Sequence, residues 1–230
     1  MCGRFTLTSP ASKLVEFFAT LAPEFELEPR YNIAPTQMTP TIVSQDGFRS
    51  MRPMRWGLVP SWAKNISEGA KMINARAETV DSKPAFRKAF EKRRCLVPAN
   101  GFFEWKKLGK DRQPYLIGLA NEEPFVFAGL WERWHDPETE VVVESYSVVT
   151  TTPNALMNDI HDRMPVILSD EGCDRWLDKA ASAGQLLDLL VPYPADEMQA
   201  FPVDHSVGNV RNDTPLCISR IETKTQQELF

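Results

Sequence analysis

Short runs of alternating apolar and polar residues dominate this chain, and most are bounded by Pro, Gly, Asn or Asp. Runs rich in Val, Ile, Phe, Tyr and Trp predict strands at Arg4–Thr8, Pro40–Ser44, Arg52–Trp56, Arg94–Val97, Phe102–Lys107, Tyr115–Leu119, Phe125–Trp131, Val141–Thr150 and Pro165–Leu168. Helical spacing is rarer. Ser9-Pro10 predicts a helix start, with Ser9 as N-cap and Leu14, Phe17, Phe18 and Leu21 on one apolar face. Further helices are predicted at Pro84–Phe90, Thr152–Met157, Asp170–Leu177 and Gly184–Leu190. The 18 prolines keep every element short. Strands outnumber helices and do not alternate with them, which argues against a doubly wound parallel sheet. The pattern predicts a single α+β domain over residues 1–220 with a curved, mostly antiparallel core, followed by a polar tail over 221–230.

A chain of 230 residues can bury a substantial core, and no apolar run reaches the roughly 18 residues of a membrane span. The start MCGRFTLTSP lacks the charged and apolar stretches of a secretory signal, so a soluble, cytoplasmic protein is expected. Net charge is −5, which argues against a general nucleic-acid binder. Its distribution changes the picture. Residues 1–120 hold 19 Lys+Arg against 11 Asp+Glu, and residues 121–230 hold 7 against 20. A basic face for a polyanion and an acidic back are compatible with that split. Cys2, Cys95, Cys173 and Cys217 are dispersed, and His135, His161 and His205 show no metal-ligand spacing. Neither a metal nor another cofactor is expected, and the last three cysteines read as buried thiols.

Cys2 stands apart. A small second residue permits removal of Met1, which would leave Cys2 with a free α-amine and a thiol on adjacent carbons. The amine can condense with an aldehyde to an imine, and the thiol can then close a thiazolidine ring. With ordinary pKa values of about 7.7–8.0 and 8.5, both groups supply nucleophile near neutrality. If Met1 is retained, that nitrogen is an amide and the ring cannot form.

Several segments accompany Cys2-Gly3-Arg4. They are Trp56-Gly57-Leu58-Val59-Pro60-Ser61-Trp62, Asn74-Ala75-Arg76-Ala77-Glu78-Thr79, the run from Arg94 through Pro98-Ala99-Asn100-Gly101-Phe102-Phe103-Glu104-Trp105, and Ile160-His161-Asp162-Arg163-Met164-Pro165. In order and spacing, over residues 2–205, this set resembles the SRAP family, the abasic-site processing proteins also called SOS response-associated peptidases. The resemblance implies a compact α+β domain around a β-barrel-like core, a groove for single-stranded DNA, and a covalent adduct with abasic sites. By the same resemblance Cys2 is the crosslinking residue and Asn74 holds the N-terminus. Glu104 lies beside the reacting amine, His161 moves protons at the sugar, and Arg76 and Arg163 meet phosphates. Arg4, in the first motif, joins the expected DNA-binding set. Asn100 and Phe103 depart from the family pattern, which more often has Asp and Tyr there.

These roles suit the side chains. Histidine can give and take protons near pH 7, a carboxylate can accept the amine's proton, and an amide can only orient. Trp62, in a loop after Pro60-Ser61, is the best candidate for stacking on a base, whereas Trp56, Phe102 and Trp105 read as core. A thiol peptidase built from Cys2, Glu104 and His161, or a non-catalytic binder of single strands, remains open at this level, as does a weak lyase activity through the imine. A monomer is expected, associated with the nucleoid when on DNA. The chain ends Gln226-Gln227-Glu228-Leu229-Phe230, which resembles the peptides that dock on bacterial sliding clamps: Leu229 and Phe230 would fill an apolar pocket and Gln226 would bond at its edge.

Overall fold

A computed structural model of the chain describes residues 2–222. The strands are β1 (Phe5–Leu7), β2 (Thr20–Leu21), β3 (Arg30–Ile33), β4 (Met38–Gln45), β5 (Phe48–Trp56), β6 (Asn74–Arg76), β7 (Arg94–Ala99), β8 (Gly101–Leu108), β9 (Asp111–Leu119), β10 (Phe125–His135), β11 (Val142–Thr151), β12 (Met164–Pro165), β13 (Ile167–Leu168) and β14 (Met198–Pro202). The helices are α1 (Ala11–Phe17), α2 (Arg87–Lys92), α3 (Ala155–Asn158), α4 (Asp170–Leu177) and α5 (Ala183–Leu187). Strands β11, β10, β7, β4 and β5 pair in that order, and a parallel pairing of Ser145 with Arg55 and Tyr146 with Trp56 closes β5 back onto β11. The result is a closed five-stranded barrel, antiparallel except at that seam. A second sheet, in the order β14-β9-β8-β1-β3, is antiparallel throughout.

The two sheets share one apolar core. Phe5 on β1 meets Trp56 at 5.1 Å and Phe127 at 5.8 Å, and Phe127 in turn meets Phe102 of β8 at 6.0 Å. All four rings are essentially buried. Each such edge-to-face pair contributes about 0.5–1.5 kcal/mol beyond its buried area. Cys95, Cys173 and Cys217 are buried free thiols, as their dispersion predicts. No helix of the described residues is long and apolar enough to cross a membrane.

Each predicted strand lies in or overlaps an observed one, although Pro165–Leu168 is split at Val166. The predicted α1 needs correction. Pro10, not Ser9, is the N-cap, and no side chain caps the helix. Ser9 is drawn instead to Asn100, whose Oδ1 accepts from the Thr8 and Ser9 N–H groups at 2.8 and 3.0 Å and whose Nδ2 donates to Ser9 Oγ at 2.9 Å. The helix ends at Phe17 because Ala19 turns the chain with φ of +46°. Of the expected apolar face only Leu14 and Phe18 are buried, while Phe17 and Leu21 are exposed. Strands β3 and β14 escaped prediction because neither carries an alternating pattern: β3 is Arg-Tyr-Asn-Ile, with Asn32 buried, and β14 ends in proline. The proposed clamp peptide at Gln226, Leu229 and Phe230 lies outside the described residues.

One close approach sets the geometry of the site. Gly57 has φ of +115°, and a Cβ there would lie 2.6 Å from the Gly69 carbonyl oxygen. That contact brings the 66–71 turn against the barrel, and Leu58 N–H donates to Met72 O at 3.1 Å. The buried Trp56 ring donates from Nε1 to Ile73 O at 2.9 Å, so the chain enters β6 in fixed register beside β11. A Gly57→Ala substitution combines backbone strain with overpacking and should destabilise the fold by about 2–4 kcal/mol in urea unfolding. It should also displace Asn74.

Candidate active site

Three elements converge on the chain's start. β1 pairs with β8 through Phe5↔Phe102 and Thr6↔Gly101, and Phe103 N–H donates to Arg4 O at 2.9 Å. That register carries Cys2, which is buried, toward Glu104 on β8. β6 runs parallel to β11 with Asn74 opposite Val148, and Asn74 Nδ2 donates to the Cys2 carbonyl oxygen at 2.8 Å. After β11, α3 turns the chain so that the Ile160 and His161 N–H groups both donate to Met157 O at 2.8 Å. This places His161 Nε2 3.8 Å from Glu104 Oε2. Cys2, Asn74, Glu104 and His161, far apart in sequence, therefore meet in space.

The electrostatics follow from burial. Glu104 is only 4% exposed, and burial pushes its carboxyl up to about 7. Burial also pushes the His161 ring down, so it is neutral at pH 7. Its Nδ1 faces the Arg163 N–H at 3.0 Å and Asp162 Oδ1 at 2.9 Å. A backbone N–H can only donate and a carboxylate can only accept, so the two neighbours of Nδ1 call for opposite tautomers, while Nε2 is the ring nitrogen that faces Glu104. The Cys2 thiol is pushed well above its ordinary value, first by burial and then by the Glu104 charge. A raised carboxyl and a lowered imidazole 3.8 Å apart are groups suited to exchanging protons. A cleft of about 580 Å³ opens beside them, bordered by Trp105, Lys107, Arg112, His161 and Asp162.

The four expected DNA-binding residues divide. Trp62 is 61% exposed and Arg76 is exposed. Arg4 is buried, donating from Nη1 to Asn32 Oδ1 and to Val207 O, each at 2.8 Å. Arg163 is mostly buried; its guanidinium donates to both carboxylate oxygens of Glu78 and to Thr150 O at 2.6 Å. Trp56 and Phe102 are core, and Trp105 is half-buried. Asn32 was not legible as a site residue. Its Nδ2 donates to the carbonyls of Val207, Asn209 and Asn212, gathering the 205–213 segment behind Arg4. Among the described residues no His, Cys, Asp and Glu cluster could hold a metal ion.

Residues 1–210 match the family model described as SOS response associated peptidase (SRAP). The abasic site processing protein YoqW of Bacillus subtilis is 46% identical over 219 residues, covering 94% of this chain and 97% of its own. The chain belongs to the SRAP family. The abasic site processing protein HMCES of Xenopus tropicalis is 33% identical over 84% of this chain and 67% of its own length. Among solved structures, a Bacteroides thetaiotaomicron protein superposes with a TM-score of 0.88 at 30% identity, covering 96% of this chain and all of that one. The two departures from the SRAP pattern have local explanations. Asn100 both accepts and donates at Thr8 and Ser9, which a carboxylate could not do. Phe103 is fully buried among Val203, Val207 and Cys217, where a hydroxyl would need a partner.

The Glu104 shift carries a stability consequence. Its folded value of about 7 lies above the ordinary 4.5, so the fold favours the protonated acid. Below 4.5 both folded and unfolded chains are protonated and the group is neutral in its effect. Stability is lost as pH rises from there to about 7, and the loss is complete above it. Glu104→Gln should therefore be more stable than wild type at pH 8, by on the order of 2–3 kcal/mol. The gain should vanish at pH 4; urea unfolding at the two pH values reads the difference.

Proposed function

We propose that this SRAP protein processes abasic sites in single-stranded DNA by forming a covalent adduct through Cys2, shielding the lesion from strand cleavage. The observation that carries this reading is the meeting of Cys2 with Asn74, Glu104 and His161, a proton-transfer pair set beside the chain's start. The relatives named as abasic site processing proteins support it. The chemistry requires removal of Met1, which frees the Cys2 amine.

The abasic deoxyribose is mostly a closed hemiacetal. The C1′ hydroxyl gives its proton to the Glu104 carboxylate while His161 passes a proton to the ring oxygen and recovers one from the protonated Glu104, so that the C1′–O4′ bond breaks and the aldehyde opens. The Cys2 amine adds to C1′, and the hydroxyl of the resulting carbinolamine leaves as water after protonation, giving an iminium that the carboxylate stabilises. Sγ then attacks C1′, the thiol proton passes to Glu104, and the five-membered ring closes. The sum is aldehyde plus aminothiol to thiazolidine plus one water. If elimination at C2′ precedes closure, the 3′ C–O bond breaks, which gives the weak lyase alternative.

Asn74 fixes the Cys2 carbonyl and hence the direction of the amine. Arg76 and Trp62, both exposed, are the groups we assign to phosphate and base. Arg4 and Arg163, held by Asn32 and Glu78, support the walls of the site. The peptidase reading is less favoured: a thiol peptidase needs a readily ionised cysteine, and here burial and Glu104 push the thiol upward. A thiol that attacks an iminium already formed beside it has no such need.

Wild type should form a heat-stable adduct with a single strand carrying one abasic site, and Cys2→Ala should form none. Cys2→Ser should give only a borohydride-trappable imine, with more strand cleavage than wild type. An undiminished stable adduct in Cys2→Ala would overturn the reading. The adduct rate should rise as pH passes about 7, because the ionised fraction of Glu104, the form able to take protons, grows through that range. Glu104→Gln should flatten this profile and slow the reaction by about 10²–10⁴-fold. Binding of an undamaged strand should weaken with salt, and Arg76→Ala should reduce the log–log slope by about 0.7.

A further inference from the structure

The proton-transfer site leaves a second, differently built cavity unused. It lies at the Arg94 end of β7, whereas β8 with Glu104 follows the Ala99 end. Its volume is about 220 Å³, below the roughly 300–1,000 Å³ of pockets for drug-sized ligands. Arg52, Lys92, Arg94 and Lys179 line it, together with Gln45 and the half-buried ring of Trp131. Four cations face one small space, and no described lining residue is an Asp or Glu.

Arg94 explains why the cavity stays cationic. It is 6% exposed and donates to four carbonyl oxygens: Phe90 at 2.6 Å, Glu91 at 2.7 Å, Trp176 at 2.6 Å and Asp178 at 2.7 Å. These are the closing carbonyls of α2 and α4, so the negative ends of both helices are spent on Arg94. All four acceptors are backbone carbonyls, none of them ionised. Of the nearby carboxylates, Glu144 stands 3.8 Å from Arg52 itself, whereas Asp178 accepts from Ala180 N–H at 2.9 Å and Glu132 pairs with Arg93 at 2.5 Å. Lys92 and Lys179 are exposed and form no ion pair among the described residues.

We propose that this cavity is a phosphate-binding site. Lys92 and Lys179 neutralise the anion at the mouth, Arg52 lines it while paired with Glu144 and Gln45, Arg94 supplies a buried positive floor, and Trp131 offers an apolar wall for the attached sugar or base. The phosphate has two possible sources: the backbone of a strand crossing this face, or a small phosphorylated molecule. The chemistry at the cavity is the same for both.

The test follows the Trp131 indole N–H in the NMR spectrum of the whole chain, assigned by Trp131→Phe. One arm titrates inorganic phosphate at constant ionic strength with chloride as the balancing ion. The other titrates undamaged oligothymidylates of increasing length. A saturable Trp131 shift with phosphate, at a Kd on the order of 1 mM or tighter, supports a free phosphate ligand. A shift seen only with the longer strands supports a backbone phosphate. In either case Lys92→Ala/Lys179→Ala should raise the Kd at least tenfold, and Lys92→Arg/Lys179→Arg should restore it. No Trp131 shift in either arm, or the same Kd in the alanine pair, overturns the proposal. Both lysines are exposed, so folding is preserved, and adduct formation by the same samples with a short abasic strand reports separately on Cys2.

Discussion

Antiparallel pairing of β1 with β8 draws Cys2 and β1 into the protein instead of leaving them on its surface. A three-residue strand has little stability of its own, yet Phe5 is paired on both sides, with Phe102 of β8 and Ile33 of β3. Its ring fills the space between the barrel and the second sheet, against Trp56 and Phe127. N-termini ordinarily fray. Here the aromatic contacts and two ladders hold the end, and Cys2 is buried as a consequence. The same burial that anchors it raises the Cys2 thiol and the Glu104 carboxyl and lowers His161. Packing and proton chemistry are thus one constraint: loosening β1 would return these groups toward their ordinary values.

Around this anchor, buried charges are held by specific partners. Arg4 is fixed by Asn32, and Asn32 gathers three carbonyls of the 205–213 segment. Asp213 reaches back to the Tyr31 and Asn32 N–H groups at 2.5 and 3.0 Å and pairs with Arg30. Arg163 ties the turn after His161 to Glu78 and to Thr150 on β11. A buried guanidinium left without such partners would cost several kcal/mol, so each fixes its segment in one arrangement. The arginines of the sequence motifs therefore serve the architecture of the site as much as its surface. Of the expected DNA-binding residues, only Arg76 and Trp62 are exposed.

Glycine and asparagine do comparable work at the backbone. Gly57 and Gly69 let two segments of the chain approach where any side chain would collide, which delivers Asn74 to the Cys2 carbonyl. Asn100 satisfies the turn between β1 and α1 with both ends of its amide. These are distance constraints on the main chain, and they account for the Trp56-Gly57 and Ala99-Asn100-Gly101 segments without reference to substrate.

Much was legible in the sequence because it depends on local patterning. Alternation located the long strands β4, β5 and β7–β11, the Ser169-capped α4 coincided with its predicted span, and the motifs named Cys2, Asn74, Glu104 and His161. The barrel-like core followed from the family resemblance, but the β5–β11 seam that closes it could not be read from local pattern, because it joins residues some ninety positions apart through backbone bonds that carry no side-chain signature. The short strands β3 and β14 were missed because neither carries an alternating pattern. Which arginines reach solvent also depended on tertiary partners: nothing in the local sequence distinguishes Arg76, exposed on β6, from Arg163, paired with Glu78. The sequence alone determined which groups are available, since side-chain chemistry is a property of residue type. Only the tertiary structure decided their protonation and reach, because burial and pairing arise where segments distant in the chain come together.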